Sequence, residues 1–99
     1  MPDKLWKATE RRIAQLFDSK RNSLSGMNSK ITGADVIHPD FYIEVKERSR
    51  IPFYATFQEV RNNAKKEGKI PMIILHQKSM KDDLVMINLK DFIKLIKRG

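Results

Sequence analysis

The sequence predicts an α/β fold, a mixed β-sheet flanked by helices in the order α-β-β-β-α-β-β-α. Three observations carry this. Two stretches, 3–18 and 53–67, repeat apolar residues at helical spacing. Gly33–Lys46 has the make-up of a β-hairpin with Pro39-Asp40 at its bend. Ile70–His76 is a continuous apolar run, the mark of a strand covered on both faces. Reached through a helix, such a strand pairs in parallel with Phe41–Lys46. The 99 residues are expected to form one domain with a small core.

The first helix spans Asp3–Asp18. Trp6, Ile13 and Phe17 form its stripe, with Leu16 widening it. Glu10 lies on the same stripe. A buried carboxylate needs a partner, either a neighbouring Lys or Arg at the stripe's edge or something that wants an acid. A short strand near Arg21–Leu24 follows. The rest of Ser19–Ile31 is a Ser, Asn and Gly-rich loop that includes Ser25 and Lys30. With its basic residues, such a loop suits phosphate contacts or serves as a solvated connector.

In the hairpin, Val36-Ile37 is the first arm and Phe41–Lys46 the second. A four-residue loop, His38–Phe41, pairs Val36 with Ile43 and sets Asp35 opposite Glu44. Opposed residues point the same way with Cβ atoms about 4.5–5.5 Å apart. A three- or five-residue loop would turn Asp35 to the other face. Glu44 and Lys46 share a face. Tyr42 lies on it too, as an exposed aromatic.

A polar exit with Arg48 and Arg50 leads to a second helix, Phe53–Glu67. Phe53, Phe57, Val60 and Ala64 are its buried stripe, and Gly68 its C′ residue. Gln58, Arg61 and Lys65 share another face. After Ile70–His76 come a polar turn, a strand at Leu84–Asn88, and a closing helix at Leu89–Lys97 with Leu89, Phe92, Ile93 and Ile96 inward. His38 and His76 are not spaced as metal ligands and fit ordinary hydrogen bonding.

Composition bounds the partners. Twenty Lys and Arg against 12 Asp and Glu give a net charge of +8, which favours a polyanion such as nucleic acid, or else makes a lysine-rich soluble surface. Cysteine is absent, so disulfides and thiolate metal sites are excluded. No apolar run reaches membrane-spanning length and no signal peptide is evident, so a cytoplasmic protein with no membrane partner is expected.

Two carboxylates facing each other across a hairpin repel unless a cation sits between them. Asp35 with Glu44-x-Lys46 suits metal-assisted hydrolysis. Oxygen ligands hold Mg²⁺, with Mn²⁺ as a possible substitute, and the metal activates a water. The lysine helps orient that water and offsets charge on the phosphate. Glu-x-Lys alone is common on solvent-facing strands. The longer pattern is more specific.

On these residues the chain resembles the PD-(D/E)xK nuclease superfamily, and within it the small Holliday junction resolvases of archaea and their phage-borne relatives. The likeness spans nearly the whole chain. Glu10 in Thr-Glu-Arg-Arg-Ile-Ala matches the first-helix acid, and Arg21 with Ser25-Gly26 matches the segment before the site. Asp35 matches the motif aspartate, and Glu44-Val45-Lys46 the Glu-x-Lys. Ala34 stands where these enzymes commonly have proline, and Asp40 in Pro39-Asp40 is an alternative to Asp35. The resemblance implies a restriction-endonuclease-like fold and a Mg²⁺-dependent endonuclease of branched DNA, most of all four-way junctions. Glu10, Asp35 and Glu44 would serve as metal ligands, and Lys46 would assist the nucleophile. DNA contacts would be drawn from Arg11, Arg12, Arg21, Ser25, Lys30, Arg48, Arg50, Gln58, Arg61 and Lys65. It also implies a two-fold homodimer, acting in a host cell or for a phage. The rivals are a nuclease indifferent to branches, a catalytically silent nucleic-acid-binding module, and a lysine-rich structural domain.

Overall fold

A computed structural model describes residues 5–22, 32–47 and 50–98. The elements follow the expected order: α1 (Leu5–Leu16), β1 (Lys20–Arg21), β2 (Val36–Ile37), β3 (Phe41–Lys46), α2 (Phe53–Lys66), β4 (Ile70–Leu75), β5 (Leu84–Ile87) and α3 (Leu89–Arg98). The fold is α/β, with a five-stranded mixed sheet in the spatial order β1-β2-β3-β4-β5. β3 and β4 run parallel, joined through α2, and the remaining neighbours are antiparallel. The rest of the short strand expected near Arg21–Leu24, residues 23 and 24, lies outside the described residues. So does the side chain of Trp6.

Alternation along β3 and β4 builds two cores, one on each face of the sheet. Ile43, Met72 and Ile74 join Val36 beneath Ile13 and Ala14 of α1. Tyr42 and Ile73 join Ala34 beneath Phe57, Val60 and Ala64 of α2. β4 is therefore covered on both sides, as its unbroken apolar run requires.

Both main helices stop in the same way. Gly68 adopts a left-handed φ of 66° after α2. Its N–H reaches the Lys65 carbonyl and the Lys69 N–H reaches Ala64, the paired bonds of a Schellman end. Asp18, with φ 52°, does the same for α1, with the Ser19 N–H on the Ala14 carbonyl. An aspartate tolerates this conformation better than most residues.

Four expectations are corrected. Leu16, expected to widen the stripe of α1, is 70% exposed at the helix end. Phe53, assigned to the buried stripe of α2, is 60% exposed. It is the first residue of the helix and lines an open cleft with Met80 and Leu84. Tyr42 does share a face with Glu44, but it is buried at 3% exposure because α2 lies on that face. Helix α3 buries none of its residues. Its periodicity marks an apolar stripe without saying what covers it, and α1 and α2 already take the two sheet faces.

Tyr42 constrains the chain that crosses it. A Cβ placed on Gly33 would stand 2.9 Å from the Tyr42 hydroxyl. That ring is packed among core residues and has little room to move. Gly33→Ala is expected to cost about 1–3 kcal/mol in chemical denaturation. Adding Tyr42→Phe, which deletes the clashing oxygen, should recover part of the loss; no recovery would place the strain elsewhere.

Candidate functional site

The site is built where β2 begins. The hairpin has the expected register, Val36 opposite Ile43. Its bend is held by His38, whose Nδ1 accepts the N–H groups of Asp40 and Phe41 at 3.0 and 3.2 Å. The ladder ends one residue before Val36. Ala34 packs towards α2 and Val36 towards α1, although residues two apart in a regular strand share a face. The chain is thus kinked at Asp35. The Asp35 N–H bonds the Ile43 carbonyl, and its carboxylate folds back to accept the Val45 N–H at 2.9 Å.

That geometry sets Asp35 between two further acids. From α1, the Glu10 carboxyl lies within hydrogen-bonding reach of Asp35 and feels its charge. From β3, Glu44 feels the charges of both Asp35 and Glu10. Lys46 stands alongside, its Nζ 3.5 Å from Glu44 Oε2. Arg21, on β1, donates to Glu10 at 2.8 Å. The four residues singled out for chemistry, Glu10, Asp35, Glu44 and Lys46, are thus electrostatic neighbours, drawn from α1, the segment entering β2, and β3.

Their ionisation records the crowding. Burial, then the Asp35 charge, raises Glu10 to about 7 against the pull of Arg21. Burial and the same charge raise Glu44 above the usual carboxylate range, against Lys46. Asp35 is raised by burial despite the Val45 amide, Lys46 and Arg21. Acids raised by burial and by neighbouring charge are a common feature of functional sites.

Among the described residues, no three acidic or histidine side chains stand close enough to hold a metal ion as they are placed. Each acid is engaged by a protein donor instead: Glu10 by Arg21, Asp35 by the Val45 amide, Glu44 by Lys46. The donor set still suits a hard divalent cation, being all carboxylate oxygen with negative charge in excess of what the neighbours offset. Asp40, the alternative aspartate, is exposed in the bend.

The expected DNA contacts divide. Arg11, Arg50, Gln58, Arg61 and Lys65 are exposed. Gln58 bonds Asn62 along α2, and Arg61 lies over the Phe57 ring at 5.3 Å. Arg12 is engaged by both oxygens of Asp83, at 2.7 and 3.0 Å, tying α1 to the turn before β5. Arg21 is committed to Glu10. Ser25, Lys30 and Arg48 lie outside the described residues.

Three residues at the site's margin carry no signal that the sequence reading detects. Glu67, at the end of α2, accepts the Gly33 N–H at 2.9 Å and the Thr32 hydroxyl. Buried Asn22 donates to the carbonyls of Thr32 and Ala34. Together they clamp the segment that delivers Asp35. Asp83 accepts from Arg12 and bonds His76 Nδ1 at 2.8 Å. Burial opposes Glu67's ionisation, but the Gly33 amide, Thr32 and Lys69 hold its carboxyl below the usual range. Comparison of the chain with protein-family models, with curated proteins and with solved structures found no match.

The charge crowding has a pH signature. Glu10 and Glu44 have folded-state values above their unfolded ones. Their contribution to stability is thus complete below about pH 4 and is lost as pH rises towards neutrality. Asp35→Asn keeps an acceptor for the Val45 N–H and removes the charge that, after burial, raises both. Without divalent cations the variant is expected to be more stable than wild type at about pH 8, by about 1 kcal/mol or ~4–8 °C in thermal melts. The gap should narrow as pH falls to about 4, where the glutamates become protonated in both proteins. A gap independent of pH would contradict the account.

Proposed function

We propose that the chain is a metal-dependent endonuclease of the PD-(D/E)xK type, with a restriction-endonuclease-like fold, that cleaves phosphodiester bonds in branched DNA, four-way junctions above all. The observation that carries the reading is the meeting of Glu10, Asp35 and Glu44 beside Lys46 in a chain of net charge +8. An excess of buried negative charge next to an ammonium costs stability, and it serves no purpose in a plain DNA binder.

In this reading Glu10, Asp35 and Glu44 hold Mg²⁺ or Mn²⁺. When bound, such a cation supplies a water of lowered pKa and neutralises charge gathering on the phosphate. Asp35 is fixed by the Val45 amide, so its oxygens are presented at one place with little freedom. Lys46 orients the attacking water and donates to the oxygen on which charge develops. Arg21, now paired with Glu10, is placed to exchange that partner for a phosphate and release the acid. Arg11, Arg50, Gln58, Arg61 and Lys65 supply outer phosphate contacts. A junction offers two symmetric strands, so a two-fold homodimer with one site per chain is the matching assembly.

A second reading, a silent nucleic-acid-binding module, is favoured by one observation: every acid already has a protein donor. Cleavage separates the two. With Mg²⁺, wild type should nick a four-way junction in preference to linear duplex or single strands. Glu44→Gln and Lys46→Met should each lose at least ~10²-fold in rate while still binding the junction, with affinity falling as salt rises. Equal cutting by Glu44→Gln would remove that residue from the mechanism. Absence of product in both Mg²⁺ and Mn²⁺, with binding intact, would favour the silent module.

A further inference from the structure

The cleft beside Phe53 lies where β3 and β4, the parallel pair of the sheet, come to an end. Leu75, the last residue of β4, forms part of its wall. Leu75 is the register partner of Lys46, the last residue of β3, and the His76 N–H bonds the Lys46 carbonyl at 2.9 Å. Register partners point to the same face, so Leu75 stands beside Lys46 on the α2 side of the sheet. In α/β sheets, ligands bind in the crevice beyond the carboxyl ends of parallel strands. This crevice has a volume of about 520 Å³, within the range of small-molecule sites and roomy enough for one ring system with its sugar.

The lining has two kinds of wall. Phe53, Met80 and Leu84 are apolar, and each is more than half exposed. They offer a phenyl face for stacking, a thioether for a ring edge and aliphatic surface that a flat ring would cover. Gln77 and Asp82 line the same cleft. An amide both donates and accepts, and a carboxylate accepts. The edge of a nucleobase carries both kinds of group.

We propose that this cleft receives one unstacked nucleobase of a DNA strand whose backbone passes Lys46. Charge selects the strand over other aromatic ligands. The chain carries +8, and Arg50, exposed on the cleft, is placed to meet the phosphate of the inserted nucleotide. The base itself is neutral, so Asp82 binds its amino or imino hydrogens without repelling it. The proposal rests on the nuclease reading only for the path of the strand, and it adds a requirement: the nucleotide beside the cut must be unpaired. Pulling a base out of a stack is cheapest where it has no partner, as at a branch or a bulge. The phosphate contacts hold the backbone of any DNA. The cleft would favour DNA that has a base to spare.

The test is affinity by fluorescence anisotropy in EDTA, so that no strand is cut. The probes are a labelled duplex with one bulged adenine and the same duplex with an abasic bulge. Wild type should bind the first about tenfold more tightly, the size of one base–aromatic stack. Phe53→Leu keeps apolar bulk without an aromatic face and should abolish most of that preference, whereas Phe53→Trp should keep it. Phe53 is 60% exposed at the first position of α2, so both variants should melt with wild type. Equal affinity of wild type for the two duplexes would overturn the proposal, as would a preference that Phe53→Leu leaves intact. Either result leaves metal-dependent cutting untouched. A base preference in a chain that cuts nothing would support the cleft and sink only the nuclease reading. Binding to neither duplex would overturn both.

Discussion

The contact on which the site depends is one hydrogen bond, from the Val45 amide to the Asp35 carboxylate. In a regular hairpin the residue before Val36 would continue the ladder. Here the backbone kinks, Ala34 joins the α2-side core, and the Asp35 side chain reaches across the start of β3. An acid fixed in that position forces its charge on Glu10 from one side and Glu44 from the other. The surrounding construction holds it there. Asn22 and Glu67 grip the incoming segment, Tyr42 leaves room only for glycine at position 33, and Lys46 and Arg21 balance part of the charge. The result is a rigid nest of like charges, costly to the fold unless a cation or a proton relieves it.

Much of this was legible in the residues because it depends on local periodicity. Spacing of three and four marked α1 and α2. Alternation in Phe41–Lys46 set Glu44 and Lys46 on one face. The bend at Pro39-Asp40 gave Val36 opposite Ile43, and Glu10 stood out as an acid on an apolar stripe. The kink at Asp35 was not legible, since strand alternation assumes a regular ladder. Glu67 was not either: it reaches Gly33 from 34 positions away, and nothing local distinguishes it from any glutamate at a helix end. Arg12 reads as a free basic residue until the fold brings Asp83, 71 positions on, against it.

Periodicity also has a limit of another kind. The stripe on α3 is as regular as that on α2, yet only the α2 stripe is buried, at Phe57, Val60 and Ala64. Regularity shows that a helix has one apolar side. It does not show whether that side meets the same chain. α1 and α2 cover the two sheet faces, and α3 buries none of its residues.

The account rests on three carboxylates near enough to feel one another's charge, and carboxyl-carbon NMR reads this most directly. Glu10 and Glu44 should titrate near neutrality in the absence of divalent cations, and both should fall towards ordinary glutamate values, about 4.3, once Mg²⁺ is added. Ordinary values without the cation, or near-neutral values that Mg²⁺ leaves unchanged, would contradict it.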